Sequence, residues 1–432
     1  MRIVALIDGE HYPPLVRSVL QDVASGGDEV VAAVFLGGSE KVGGGDPTDA
    51  YGVRTLTGEP TEALRSVLEE LRPDRVLDLS DEPVVTPASR FRLATVALMQ
   101  GVPYVGSDFE LRPARQEPVL TKPAIRVIAT GKRTGKTAVA GALARHAVSR
   151  GRRPAIVAMG RGGPHPPEVI EAGRAMTARD LIALADAGRH AASDYIEDAI
   201  TSRVTTIGCR RVGGGMAGDV FASNVIDGAR IAEGRDEDLV ILEGSGASVP
   251  PVAAHAGLIC VPAGAGPDAL RLYLGPYRLL LADLAVVTMA EGPGTAEPIL
   301  RAVHDVAPQV EALPAVLRPK PLEDVAGARV FFCSTAPPGV SDTLRRHLEA
   351  THGCEVVGVS HALADRSVLR RELDEAPGYD VLLTELKAGA IEVAARAADA
   401  RGRRIVFADN ELVGEGIEAA FDRLIGLAVE RA

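Results

Sequence analysis

The stretch AIRVIATGKRTGKTAVAGALARHAVSRG, residues 124–151, decides the fold. Its first residues are apolar apart from Arg126 and read as a buried β-strand. The segment from Thr134 to Gly151 has the spacing of an amphipathic helix. Between them lies ATGKRTGKT, residues 129–137, at a strand-to-helix turn. Glycines there let successive backbone N–H groups point at phosphate oxygens, and the helix N-terminus adds favourable partial charge. The general pattern GxxxxGK[ST] asks for glycine at position 130, where this chain has Thr130, so the turn is expected to fall to Gly131.

The side chains of this loop suit a nucleoside triphosphate. Thr130, Gly131, Thr134, Gly135, Lys136 and Thr137 form the expected cradle for ATP. Lys136 would reach the β- and γ-phosphates, and Thr137 would ligate Mg2+. Lys132 and Arg133 add two cations over the phosphates. The second half of such a site is an acid ending a later apolar strand. DLVILEGSGAS, residues 238–248, supplies Glu243, a second candidate metal ligand beside Thr137.

Outward from this core, the chain of 432 residues exceeds one ordinary domain. Two Pro-rich stretches, 111–123 and 313–324, read as linkers. They divide the chain into an N-terminal Rossmann-like α/β domain (1–123), a P-loop ATP-binding catalytic domain (124–320) and a C-terminal α/β domain (321–432). Strand and helix patterns alternate in every part. RIVALI, EVVAAVFLG and DRVLDLS lead in the first, and ARVFFCST, EVVGVS, YDVLLTEL and RRIVFADN in the third. The expected class is therefore α/β, three parallel-sheet domains with a P-loop NTPase fold at the centre.

Charge and cysteine usage narrow the function. A formal net charge of −11 argues against a general nucleic-acid binder and requires any phosphate site to be a local cationic patch. Four cysteines without a CxxC pair fit a reducing, cytoplasmic setting better than a disulfide framework or zinc site. The apolar run at the N-terminus is interrupted by Asp8 and Glu10, so it does not read as a signal peptide. The apolar stretch near 279–289 carries Asp283 and falls short of a membrane span.

Several segments offer further contacts to an anionic substrate. GCRRVGGGMAG, residues 208–218, sets Arg210 and Arg211 before Gly213, Gly214 and Gly215, a combination of bidentate clamp and anion nest. Arg161 follows a strand in MGRGGPHPP. Asp8, Glu10 and His11 cluster after the first strand, where α/β folds place ligands. Glu385 and Lys387 stand at a strand end in LLTELKAG, and Asp409 and Asn410 in VFADNELV.

The pair ATGKRTGKT and ILEGSGAS resembles the dethiobiotin-synthetase branch of P-loop proteins over the central part. Over almost the whole chain, LIDGEHYPP, PYVGSDFELRP, VIATGKRTGKTAV, RRVGGGMAG and VLLTELKAGAIEVA resemble the cyclic 2,3-diphosphoglycerate synthetase family, in the same order. That resemblance implies an ATP-dependent cyclo-ligase. Its substrate would be 2,3-diphosphoglycerate, and its products the intramolecular pyrophosphate, ADP and phosphate. Lys132, Arg133, Lys136, Arg210 and Arg211 would be the catalytic cations. Asp8, Glu10, His11, Arg161, the triple glycine, Glu385 and Lys387 would be substrate contacts. No nucleic-acid or membrane partner is expected, and a homodimer is compatible with the reading. The alternative is a P-loop ligase or kinase that activates a carboxylate as an acyl phosphate. A third reading, an ATP-driven switch that organises partners or DNA, fits poorly. Such proteins carry a lysine before the first glycine pair, whereas Lys132 follows Gly131.

Overall fold

The computed structural model describes residues 1–38, 41 and 47–432. Its strands form three sheets, with helices between consecutive parallel strands. The N-terminal sheet contains β1 (Arg2–Ile7), β2 (Glu29–Phe35), β3 (Thr55–Leu56), β4 (Arg75–Asp78), β5 (Tyr104–Val105) and β6 (Glu110–Leu111). Its order, β3-β2-β1-β4-β5-β6, reverses direction between β1 and β4. In such a sheet, side chains meet at the carboxyl ends of the strands on either side of that switch.

The central sheet contains β7 (Ala124–Ala129), β8 (Pro154–Gly160), β9 (Glu168–Ile170), β10 (Thr205–Val212), β11 (Ala222–Ser223), β12 (Leu239–Glu243), β13 (Ala256–Pro262), β14 (Leu284–Thr288) and β15 (Glu311–Pro314). The order is β11-β10-β8-β12-β7-β13-β14-β15, with β9 also paired to β10. Strand β7 is buried throughout and lies between two parallel neighbours, β12 and β13. The crossover helices cover both faces, so β7 and β12 read as continuous apolar runs rather than alternating ones.

The C-terminal sheet contains β16 (Val316–Pro321), β17 (Arg329–Cys333), β18 (Glu355–Ser360), β19 (Val381–Glu385) and β20 (Arg404–Val413), in the order β16-β20-β19-β17-β18. The α/β class holds, with one qualification. The sheets are mostly parallel, but β6, β9, β11 and β16 pair antiparallel at or near the edges. A short hairpin can add such a strand without a crossover helix.

The parts are not packed independently. Strand β16 (Val316–Pro321) falls almost wholly before the boundary expected at residue 321, yet it pairs with β20 in the third sheet. The last helix, Ile417–Arg431, buries Phe421, Leu424 and Ala428 in the same core as Ile125, Val127 and Leu258 of the central sheet. His146 of the helix after the P-loop bonds Asp422 at 2.8 Å and packs edge-on against Phe421. Arg145 and Asp409 form a further ion pair at 2.9 Å between the two parts.

Candidate active site

The helix Lys136–Ser149 begins at Gly135, whose φ of 80° is the left-handed conformation that glycine adopts without strain. A Cβ on Gly135 would also lie 2.9 Å from Leu317 Cδ1. Arg133 is left-handed too (φ 60°), whereas neither Thr130 nor Gly131 has a positive φ. That explains how Thr130 stands where the general pattern has glycine. The loop bends at positions 133 and 135 instead. Thr288, at the end of β14, donates to the Thr134 carbonyl at 2.7 Å and pins the loop from behind.

Strand β12 runs beside β7 with Glu243 opposite Val127, so the acid arrives next to the loop. Lys136 Nζ donates to Glu243 Oε1, and Thr137 Oγ1 donates to the same oxygen at 2.8 Å. Burial alone would lower the pKa of Lys136, but Glu243, Asp194 and Asp198 outweigh it and hold the amine above its usual value. Burial would raise Glu243, but Lys136 and its hydrogen bonds keep it below the ordinary carboxylate range.

Behind this pair stands the start of the helix Asp194–Ser202, with Asp194 and Glu197 in its first turn and Asp198 directly after. Asp198 is fully buried against Glu243, and burial followed by the Glu243 charge pushes its pKa well up. Both oxygens of Asp198 and Oε2 of Glu243 lack a hydrogen-bond partner. Facing carboxylate oxygens that lack donors call for a shared proton or a cation. With the Thr137 hydroxyl they fit Mg2+, an ion bound by few protein oxygens together with water and phosphate. Among the described residues, no group of three or more His, Cys, Asp or Glu side chains forms a metal centre by itself.

A cavity of about 1230 Å³ opens over the loop. Gly131 through Thr137 form its floor, and Arg161, Asp194, Glu197, Ser245 and Gly246 a second wall. The C-terminal sheet supplies the third wall, with Ser334 to Pro338 after β17 and Glu385, Lys387 and Ala388 at the end of β19. Phe332, Leu344, Leu317, Pro319 and Met289 make part of the lining apolar.

The positive groups collect near Gly246. This glycine is left-handed (φ 59°), and a Cβ there would lie 2.7 Å from Arg161 Nη2 and 3.6 Å from Arg211 Nη2. Arg211 donates to the carbonyls of Gly213 (3.0 Å) and Ser245 (2.9 Å), and its Nε is buried without a partner. Burial first, and then the Arg161 charge, lower the pKa of Arg211. Two guanidinium groups held together in this way form a concentrated site for an anion.

The structure thus brings together on the cavity wall Gly131, Lys132, Arg133, Thr134, Gly135, Lys136, Thr137, Arg161, Glu385 and Lys387 from the sequence reading. Thr130 precedes the floor, and Glu243 lies directly beneath it. Arg211 and the hairpin residues Gly213, Gly214 and Gly215 lie behind the Ser245–Gly246 turn rather than on the wall. Arg210 has an exposed side chain outside the lining, and its amide bonds Asn224 at 2.7 Å. Asp8, Glu10 and His11 are at the end of β1 and outside the cavity lining. The Asp8 carboxylate accepts from the amides of Glu10, His11 and Asp81 and bonds the His11 ring at 2.9 Å. Burial raises its pKa, but these bonds bring it below the usual value. Asp8 thereby ties the β1 and β4 loops to each other.

Sequence reasoning did not single out Asp194, Glu197 and Asp198. Their signal was a D-x-x-E-D turn after Ser193, which reads equally as an ordinary acidic helix start.

The chain matches three family models. These are the N-terminal domain (residues 2–112), the P-loop domain (124–316) and the C-terminal domain (321–411) of cyclic 2,3-diphosphoglycerate synthetase. A curated protein of that name from Rubrobacter xylanophilus is 49% identical over 98% of this chain and 97% of its own length. One from Methanothermus fervidus is 43% identical over 95% and 92%, respectively. Among solved structures, an ATP-bound LpxK from Aquifex aeolicus covers 72% of this chain and 90% of its own at 13% identity, with a TM-score of 0.41. Among the described residues, no helix is long and apolar enough to cross a membrane. With all three family models matched in order and full-length relatives above 40% identity, the chain belongs to the cyclic 2,3-diphosphoglycerate synthetase family.

Proposed function

We propose that this protein uses ATP to join the two phosphates of 2,3-diphosphoglycerate into an intramolecular pyrophosphate. The observation that carries the reading is one cavity with two chemistries. Its P-loop floor suits a triphosphate, and Arg161 on the wall beside it, backed by the Arg211 charge behind the Ser245–Gly246 turn, suits a second polyanion. Relatives that match over nearly their whole length bear the name of this reaction.

In this mechanism the amides of residues 131–137 and Lys136 hold the β- and γ-phosphates of ATP. Lys136 leaves Glu243 for the phosphates as the nucleotide enters. Mg2+ bound by Thr137, Glu243 and Asp198 would neutralise charge on the β- and γ-oxygens. Lys132 and Arg133, at the mouth, together with Arg161 and Lys387, hold the substrate phosphates close to the γ-phosphoryl group.

An oxygen of one substrate phosphate attacks the γ-phosphorus, and the bond to ADP breaks. The neighbouring phosphate of the same substrate then attacks the substrate phosphorus that carries the transferred group. The bond to that group breaks, inorganic phosphate leaves, and the ring closes. The attacking oxygens are already ionised near neutral pH, so no side chain has to remove a proton. Ring closure is intramolecular, and the cations accelerate it by holding the substrate bent.

The test is ADP release by purified protein with ATP and Mg2+, measured with and without 2,3-diphosphoglycerate. The reading expects release only with that substrate. ADP formed with a simple carboxylate and an amine instead would favour an acyl-phosphate ligase.

A further inference from the structure

Lys387 belongs to the C-terminal part, yet it lines the cavity above the P-loop. It sits just after β19 on a constrained turn. Ala388 is left-handed (φ 48°), Gly389 donates to the Leu363 carbonyl at 2.9 Å, and a π-helical turn, Ala390–Ala395, follows. Non-glycine residues in that conformation persist only where the surroundings enforce it, and they cluster at functional sites. The backbone is thus fixed, while the long side chain needs its own anchor.

Glu385, two residues earlier, does not provide that anchor. Its carboxylate accepts from Ser334 Oγ (2.8 Å), Thr335 N (3.0 Å) and Thr335 Oγ1 (2.7 Å), which ties β19 to the loop after β17. The ion-pair partner of Lys387 is Glu197, at 3.3 Å, on the helix Asp194–Ser202 of the central part. One residue further along, Asp198 faces Glu243 beside Lys136. A single helical turn therefore touches the P-loop lysine's partner on one side and the C-terminal lysine on the other.

We propose that Glu197 is a positioning residue, which holds the Lys387 ammonium at the phosphate end of the cavity so that the C-terminal part contributes a fixed cation to the substrate site. The proposal rests on the function given above. The groups facing Glu197 are Lys387, Asp194 and Glu385. An arriving substrate phosphate takes up the remaining donors of the ammonium, while Glu197 keeps its own contact to the lysine at 3.3 Å.

The experiment compares Glu197→Ala, Glu197→Gln, Lys387→Met and the double variant Glu197→Ala/Lys387→Met in full-length protein. KM for 2,3-diphosphoglycerate and for ATP is measured for each. Glu197→Ala and Lys387→Met are expected to raise the substrate KM about tenfold each, with the double variant no worse than Lys387→Met alone. The KM for ATP stays near that of the wild type. Glu197→Gln keeps the acceptor oxygen and restores the substrate KM to within about threefold.

Wild-type substrate KM in Glu197→Ala, multiplying effects in the double variant, or an equal rise in the KM for ATP would each overturn the proposal. These outcomes presuppose a wild-type protein that makes the cyclic product. Its failure to do so would contradict the function itself and not this role of Glu197.

Discussion

Lys136 and Glu243 are bonded to each other across the floor of the cavity, and Thr137 reaches the same carboxylate oxygen at 2.8 Å. The P-loop lysine and the hydroxyl that would hold the metal thus share one acid, and Glu243 fixes the position of both.

Replacing Glu243 with Gln should lower turnover by about 10²–10³-fold, the loss typical of one electrostatic contact made in the transition state. The fold should survive, because Gln keeps an acceptor for Lys136. Steady-state kinetics at saturating Mg2+, beside a thermal melt, check both parts.

The Asp198–Glu243 pair predicts a metal effect on stability. Asp198 has its pKa raised well above the usual value, so its stabilising contribution is complete below the ordinary carboxylate range and is lost as pH rises through the raised value. A cation between the two carboxylates removes that loss. Mg2+ should therefore raise the melting temperature more at pH 8 than at pH 5, and Asp198→Asn should abolish the difference. Equal shifts at both pH values in the wild type would place the ion elsewhere.

Gly135 predicts a backbone effect. Alanine there would be left-handed and would press on Leu317. Gly135→Ala should cost about 1–3 kcal/mol in stability and weaken ATP binding severely. Thr130→Gly, at a position without positive φ, should change ATP affinity far less. Denaturant titration and calorimetry with a non-hydrolysable ATP analogue separate the two.

Arg161 is exposed at the mouth, whereas Arg211 is buried and bonded to Gly213 and Ser245. Arg161→Ala should raise the substrate KM by about tenfold or more with little change in melting temperature. Arg211→Ala should raise the same KM and also destabilise the fold by about 1–3 kcal/mol, because it removes the tie between the hairpin and the Ser245 turn.

The strand-turn-helix from Ala124 to Gly151 and the strand ending in Glu243 were legible because local patterning specifies both. An apolar run, a glycine at a forced bend and an acid at a strand end need no distant partner to be recognised. Lys387 was legible as a polar residue at a strand end, but its partner was not. The Glu197–Lys387 contact joins residues 190 positions apart, and nothing in either local sequence specifies the other. Asp8, His11 and Arg210 are polar residues at strand ends too, but they lie outside the cavity lining, where Asp8 bonds the amides of two loops and the Arg210 side chain is exposed. The antiparallel strand β16 was hidden because LRPKP reads as a Pro-rich linker, although an edge strand tolerates proline.

The most direct test of the account is phosphorus NMR of the purified protein with ATP, Mg2+ and 2,3-diphosphoglycerate. The account predicts a pair of coupled upfield resonances from a cyclic pyrophosphate, growing in step with ADP and phosphate and absent with Lys136→Ala. An unchanged substrate spectrum while ATP is consumed, or no consumption of ATP at all, would contradict it.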